Sequence, residues 1–148
     1  GDVYKRQETM TLFEDRFVLA YRESSRLIDP DNYRLGRLAP ETVLLLSDGH
    51  CLRGHALDAC RLRNSEKLSP FAATSLLTLV EMVDADLGVT YLPEMAVRSG
   101  LLAHTRVRTR ALGAKSHRTI GLAWRKGSAR SDEFGLLGRF IRGNRGAD

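Results

Sequence analysis

The sequence predicts an α/β fold with a mainly parallel sheet, and three observations predict it. Short apolar runs bounded by turn signals recur along the chain. Stretches with apolar residues at helical spacing lie between them, and the two kinds alternate. A length of 148 residues suits one ordinary domain, which buries a core without disulfide staples. The two cysteines are therefore not needed as scaffolding.

The opening "GDVYKRQ", residues 1–7, has no periodicity and reads as a non-native or artefactual leader outside the fold. "FVLAYR", from Phe17 to Arg22, reads as a strand. "RLIDPDNYRLGRLAPET", from Arg26 to Thr42, carries two prolines and an Asp-Pro-Asp turn signal, so it is a loop. "TVLLL" then runs into "SDG", the pattern of a buried parallel strand entering a turn. A helix follows from His50 or Cys51.

"RLRNSEKLSP", Arg61 to Pro70, is polar and ends in proline, which predicts a mobile connection. "TSLLTLVEMVDADLG" is the strongest helix. Leu76, Leu79, Val80 and Val83 share a face, Thr74 or Ser75 caps the start, and Gly88 ends it. "VTYL" is a strand, and "PEMAVRSG" a short helix with Pro93 at its first position. "TIGLAW" is another strand, and "SDEFGLLGRFIRG" a glycine-weakened final helix with Phe134, Leu137 and Ile141 on one side.

Composition narrows the function. The longest apolar runs, "VLLL" and "FVLA", are far too short to span a bilayer, so the chain reads as soluble and cytoplasmic with no membrane partner. The formal charge is +5, with much of the excess in "RSGLLAHTRVRTR" and "KSHRTIGLAWRKGSAR". No aromatic-rich basic element gathers these residues, so they read as a solvated basic face and not as a nucleic-acid surface.

Both cysteines lie in "SDGHCLRGHALDAC", Ser47 to Cys60. If residues 51–60 are helical, nine residues of rise separate the two Cα atoms by about 13.5 Å. A disulfide needs them within about 7 Å. Either the cysteines are unrelated, or oxidation unwinds this helix. A reducing cytoplasm favours a disulfide that is transient over one that is a permanent brace.

The position of Cys51 in the first turn supports the second choice. Unpaired N–H groups and the helix dipole favour an anion there, and the thiolate is the nucleophile toward peroxide. His50 adjoins it and can donate a hydrogen bond. Cys60, beside the polar connection, would resolve the sulfenic acid. Other readings stay open. Cys60 alone fits an inert small hydrophobe. His50, Cys51, His55 and Cys60 fit zinc only poorly, lacking a CxxC or HxxxH pair, so no metal is expected. Asp48 fits a turn residue with an N-cap role.

"LLLSDGHCLRGHALDAC" resembles the regulatory domain of the peroxide-sensing LysR-type transcription regulators. The likeness continues through "ATSLLTLVEMV", "GVTYLP" and "HRTIGLAWRKGS", covering Leu12 to Ser128. It implies a LysR-type effector-binding domain, periplasmic-binding-protein-like with Rossmann-like subdomains. Residues 8–117 would be the second subdomain, largely complete. Residues 118–148 would be a C-terminal fragment of the first, and the winged helix-turn-helix DNA-binding domain would be absent. Ser47 stands where the family often has an acidic residue, and "VDADLGVTYLP" replaces a glycine-richer turn.

The resemblance also implies roles. Cys51 would be the peroxidatic cysteine and Cys60 the resolving one, joined by an intramolecular disulfide. His50 would lie beside the peroxide, the Gly49 backbone would frame the pocket, and the charge of Arg118 would favour the thiolate. Expected partners are hydrogen peroxide, a homodimer or homotetramer formed through this domain, and a glutaredoxin- or thioredoxin-type reductant. DNA would be bound only through the N-terminal domain. No cofactor and no turnover activity are expected. Two other functions fit the same residues: a thiol peroxidase, and an effector domain that binds a small metabolite and leaves its cysteines unused.

Overall fold

β1, Gln7–Arg22, is a sixteen-residue strand that reaches well upstream of the six-residue run expected from its apolar centre. It enters both of the units into which the chain divides in the computed structural model, which describes residues 6–145. The larger unit is Arg16–Arg118, and the other is built from the described residues up to Asp15 and from Thr119 onward. The division expected at residues 8–117 thus differs at one end, because the first half of β1 belongs with the later residues. Of the supposed leader, residues 1–5 lie outside the described residues. Gln7 opens β1, and the Lys126 N–H donates to the Arg6 carbonyl at 2.7 Å.

The remaining elements of the larger unit follow in chain order. They are β2 (Val43–Leu46), α1 (Cys51–Ala59), β3 (Leu68–Ala73), α2 (Leu76–Asp84), β4 (Thr90–Pro93), α3 (Glu94–Arg98) and β5 (Val107–Ala111). β2 pairs parallel with β3, as its unbroken apolar run suggests. A parallel bridge from Val43 to Val89 extends the relation to the start of β4, through Leu44 N–H to Val89 O at 2.8 Å and Val89 N–H to Thr42 O at 3.0 Å. β1, however, pairs antiparallel with both β4 and β5. The sheet is therefore mixed, not mainly parallel, because β1 runs against the strands it joins.

Two strands escaped the sequence reading. β3 contains Pro70, which argues against a strand, but β3 pairs only with β2 and Pro70 is exposed, so the missing N–H costs no ladder bond. β5 reads as solvated arginine-rich chain because Val107 is its one buried side chain. Its pairing with β1 is a long-range contact that no local pattern announces.

The core gathers Phe17 to Ala20 of β1, all of β2, and Val89 to Leu92 with Leu79, Val80 and Val83 of α2. Ser75 caps α2 by accepting from Thr78 N–H at 3.1 Å, as expected. Its end differs. The helix stops at Asp84, and the left-handed position is Asp86 (φ 57°), held by Ser25 Oγ at 2.6 Å and the Arg26 N–H at 3.2 Å. Gly88 serves close approach instead: a Cβ there would lie 2.6 Å from both the Thr42 carbonyl oxygen and Leu44 Cγ. Pro93 likewise stands at the N-cap of α3 and not inside it.

In the other unit the first half of β1 pairs with β6, His117–Arg125, and α4, Ser131–Asn144, lies beside them. Gly138 is its buried position, near Met10 and Leu122, and Arg142 donates to the Thr11 carbonyl. The Phe134 ring lies 5.8 Å from that of Trp124, tilted by 42°, and is half-buried with Ile141, whereas Leu137 is 47% exposed, so the expected stripe is narrower by one residue.

The Gly88 contact yields a prediction. Gly88→Ala is expected to cost about 2 kcal/mol by overpacking against backbone, read as a lower urea midpoint with an unchanged slope. An unaltered midpoint would mean that β2 and β4 are not held at this spacing.

Candidate functional site

α1 starts where β2 ends, and the four residues between them set its direction. The His50 N–H donates to the Ser47 carbonyl at 3.2 Å, closing a turn in which Gly49 has φ +88°. That conformation suits glycine, since a Cβ is strained there. His50, not Asp48, is the N-cap: its Nδ1 accepts from the Leu52 N–H at 3.4 Å. Asp48 is solvent-exposed and pairs with Arg53 Nε at 3.1 Å. Arg53 also donates from Nη1 to the Leu46 carbonyl at 2.8 Å. One side chain therefore ties the end of β2, the turn and the helix together, a role that the sequence reading missed.

Cys51 is the first residue of α1 and is exposed; Cys60 is its C-cap and is half-buried; both thiols are free. The helix between them is intact, so the two sulfurs that a disulfide would join stand at opposite ends of it. This helix is weakly built. It buries only Leu52 and Ala56 and has no acidic residue in its first turn and no basic one in its last. Gly54 occupies its middle, costing about 1 kcal/mol relative to alanine.

The environments of the thiols differ in kind. Burial pushes the Cys60 thiol up to about 12, from an ordinary value of 9.0. At neutral pH it is protonated. The same burial raises Tyr33 and Tyr91, whose hydroxyls hydrogen-bond to one another, and the proximity of Cys60 opposes the ionisation of each. Beyond the helix end, a hydrogen bond from Arg63 holds the Asp58 carboxyl below the usual range.

Arg118, 63 residues beyond His55 in sequence, is brought against the middle of α1. Its Nη1 lies 3.4 Å from His55 Nδ1, and its Nη2 donates to Met95 Sδ at 3.5 Å. A guanidinium only donates, so Nδ1 of His55 is the acceptor and the proton sits on Nε2. His55 follows Cys51 by one turn, on the same helical face. The structure thus places Gly49, His50 and Cys51 at the start of α1, Arg118 against His55 in its middle, and Cys60 at its end. Among the described residues no group of three or more His, Cys, Asp or Glu could hold a metal ion, and no helix is long and apolar enough to cross a membrane.

The chain belongs to the LysR substrate binding domain family, whose model matches residues 5–145. It is 38% identical over 120 residues to the "Hydrogen peroxide-inducible genes activator" of Haemophilus influenzae, covering 79% of this chain and 39% of that protein. It is 35% identical over 131 residues to the "DNA-binding transcriptional dual regulator OxyR" of Escherichia coli, covering 88% and 43%. Among solved structures, the reduced regulatory domain of OxyR2 from Vibrio vulnificus matches with a TM-score of 0.81 and 37% identity, over 93% of this chain and 65% of that one. The chain spans about two fifths of the length of these curated relatives.

Two measurements follow from the contrast between the thiols. Under reducing conditions iodoacetamide is expected to label Cys51 faster than Cys60 by an order of magnitude or more, on the order of the exposure contrast, read by peptide mapping; equal rates would deny the burial of Cys60. The raised Cys60 value also has a signed consequence. The folded state holds this proton more tightly than the unfolded one, so the stabilisation is complete below pH 9.0 and is lost as pH rises toward about 12. Urea midpoints under reductant should therefore fall more steeply above pH 9.0 for the wild type than for Cys60→Ala.

Proposed function

We propose that the chain is the hydrogen-peroxide-sensing regulatory domain of an OxyR-like LysR-type transcription regulator, switched by a disulfide between Cys51 and Cys60. The observation that carries this reading is the placement of one exposed and one half-buried thiol at the two ends of a short, weakly built helix. Relatives named for peroxide induction support it.

In the first step the Cys51 thiolate attacks one peroxide oxygen, the O–O bond breaks, and hydroxide leaves and takes up a proton as water. Cys51 is now a sulfenic acid. The Cys60 sulfur then attacks the Cys51 sulfur, the S–O bond breaks, and a second water carries away the hydroxyl and the thiol proton. Peroxide is reduced by two electrons and the thiol pair oxidised by two. Arg118 and His50 favour the thiolate by charge and hydrogen bonding, and the Gly49 turn leaves the backbone open to the small oxidant.

The second step cannot occur with α1 folded, because its length exceeds the reach of a disulfide. Oxidation must unwind it. The cost is limited to burial of Leu52 and Ala56, about 2–3 kcal/mol, together with the helical bonds, and the Gly54 penalty reduces it further. The covalent bond offsets this, which makes the segment bistable. In the whole regulator the refolded segment would alter a homodimer or homotetramer surface and so reorient DNA-binding domains elsewhere in that protein. A cytoplasmic glutaredoxin- or thioredoxin-type reductant would reset it. Residues 8–117 would then act as the sensing subdomain and residues 118–148 as part of its neighbour. One oxidation per cycle is sufficient for a sensor, so no turnover enzyme is proposed.

Intact mass after a stoichiometric peroxide pulse tests this. The wild type should lose two hydrogens and yield one cross-linked peptide pair joining Cys51 and Cys60. Cys60→Ser should stop at a Cys51 sulfenic acid that dimedone traps, and Cys51→Ser should not react. Two free thiols in the pulsed wild type would overturn the reading and favour a metabolite-binding effector domain.

A further inference from the structure

α1 ends in a pair of hydrogen bonds that turns one residue left-handed. The Leu62 N–H donates to the Leu57 carbonyl at 2.8 Å and the Arg61 N–H to the Asp58 carbonyl at 3.4 Å, while Cys60, the C-cap, donates to the Ala56 carbonyl at 3.0 Å. Such a closure puts the residue after the cap in the left-handed region, a position that glycine usually fills. Here it is Arg61, with φ 56°. An L residue is strained there because its Cβ crowds the following carbonyl oxygen. Three residues on, Asn64 adopts nearly the same angle, φ 57°, but its short polar side chain suits it. The Arg61 side chain supplies no compensating contact: it is exposed, and among the described residues it makes no hydrogen bond or ion pair. The strain persists because Leu62, the next residue, is fully buried in the core and fixes the path of the chain beyond Cys60.

We infer that the left-handed backbone of Arg61 sets how readily the Cys60 end of α1 opens, which makes Arg61 a positioning residue for the resolving step. This deepens the proposed function and rests on it for its consequence. For the thiol to reach Cys51, Cys60 must leave its place at the helix end. Opening breaks the bonds donated by Cys60, Arg61 and Leu62, and it lets Arg61 return to a negative φ. The strain is therefore present in the closed form and absent from the open one, so it weights the balance toward opening at the residue next to the resolving cysteine. A glycine at this position would have no strain to release. The helix end would stay closed more of the time, and Cys60 would be freed less often, with the surroundings of neither thiol altered.

Amide hydrogen exchange in the reduced full chain reads this opening without peroxide, because the N–H groups of Cys60 and Leu62 exchange when their bonds are released. Arg61→Gly should slow exchange at both about fivefold after correction for intrinsic rates, the relief of strain being partly offset by the greater freedom of glycine in the open segment. Arg61→Ala removes the same side chain but keeps the strain, and should exchange like the wild type. No slowing in Arg61→Gly, or equal slowing in Arg61→Ala, would overturn the inference. After a peroxide pulse, the first-order step from sulfenic acid to disulfide should slow by the same factor in Arg61→Gly and not in Arg61→Ala, while the reaction of Cys51 with peroxide keeps its rate in both. A resolving step that keeps its rate in Arg61→Gly despite slowed exchange would remove Arg61 from that step. Should exchange respond as expected while the wild type forms no disulfide, the control of opening by Arg61 stands and the proposed function falls.

Discussion

A nine-residue helix stands between the two cysteines, and its backbone hydrogen bonds are the constraint on which the other features depend. While those bonds hold, the rise per residue keeps the ends well beyond the reach of a disulfide. The surroundings of α1 make sense as a way of holding such a helix in place without making it strong. Arg53 fixes its start to β2 through the Leu46 carbonyl. Two buried side chains fix its middle, and the packing around Cys60 fixes its end. None of these is a large term alone, and a segment secured by several small terms unfolds locally without taking the domain with it.

The two ends of the helix differ in the chemistry they allow. The first turn is open to solvent, and Arg118 meets His55 one turn further along the helix. The last position is shielded from water and keeps its thiol protonated. A pair in which both thiols were exposed would let either one react first. Under the proposed function, exposure and burial set the order in which the two thiols react.

Legibility varied with how local the cause was. The α1 helix, its start at Cys51 and the cap of α2 at Ser75 follow from spacing and neighbouring polar atoms, and the sequence carries them plainly. The strands β3 and β5 were hidden. Proline in one and arginines in the other mask a pairing whose benefit comes from a strand far away in the chain. Gly88 was legible as necessary but not for its reason. A glycine after a helix suggests a left-handed cap, whereas the clash it avoids involves Thr42 and Leu44, more than forty residues earlier.

The sequence by itself determined the α/β class, the helix that separates the cysteines, and the resemblance that assigns them roles, because all three are carried by short-range periodicity or by one contiguous motif. Only the tertiary structure decided that the sheet is mixed, that Arg118 meets His55, and that the hydroxyl of Tyr33 pairs with that of Tyr91. These depend on which distant segments share space. A chain pattern records the preference of each segment for water or core, but the partner that satisfies a buried hydroxyl or a strand edge is chosen only when the whole core packs.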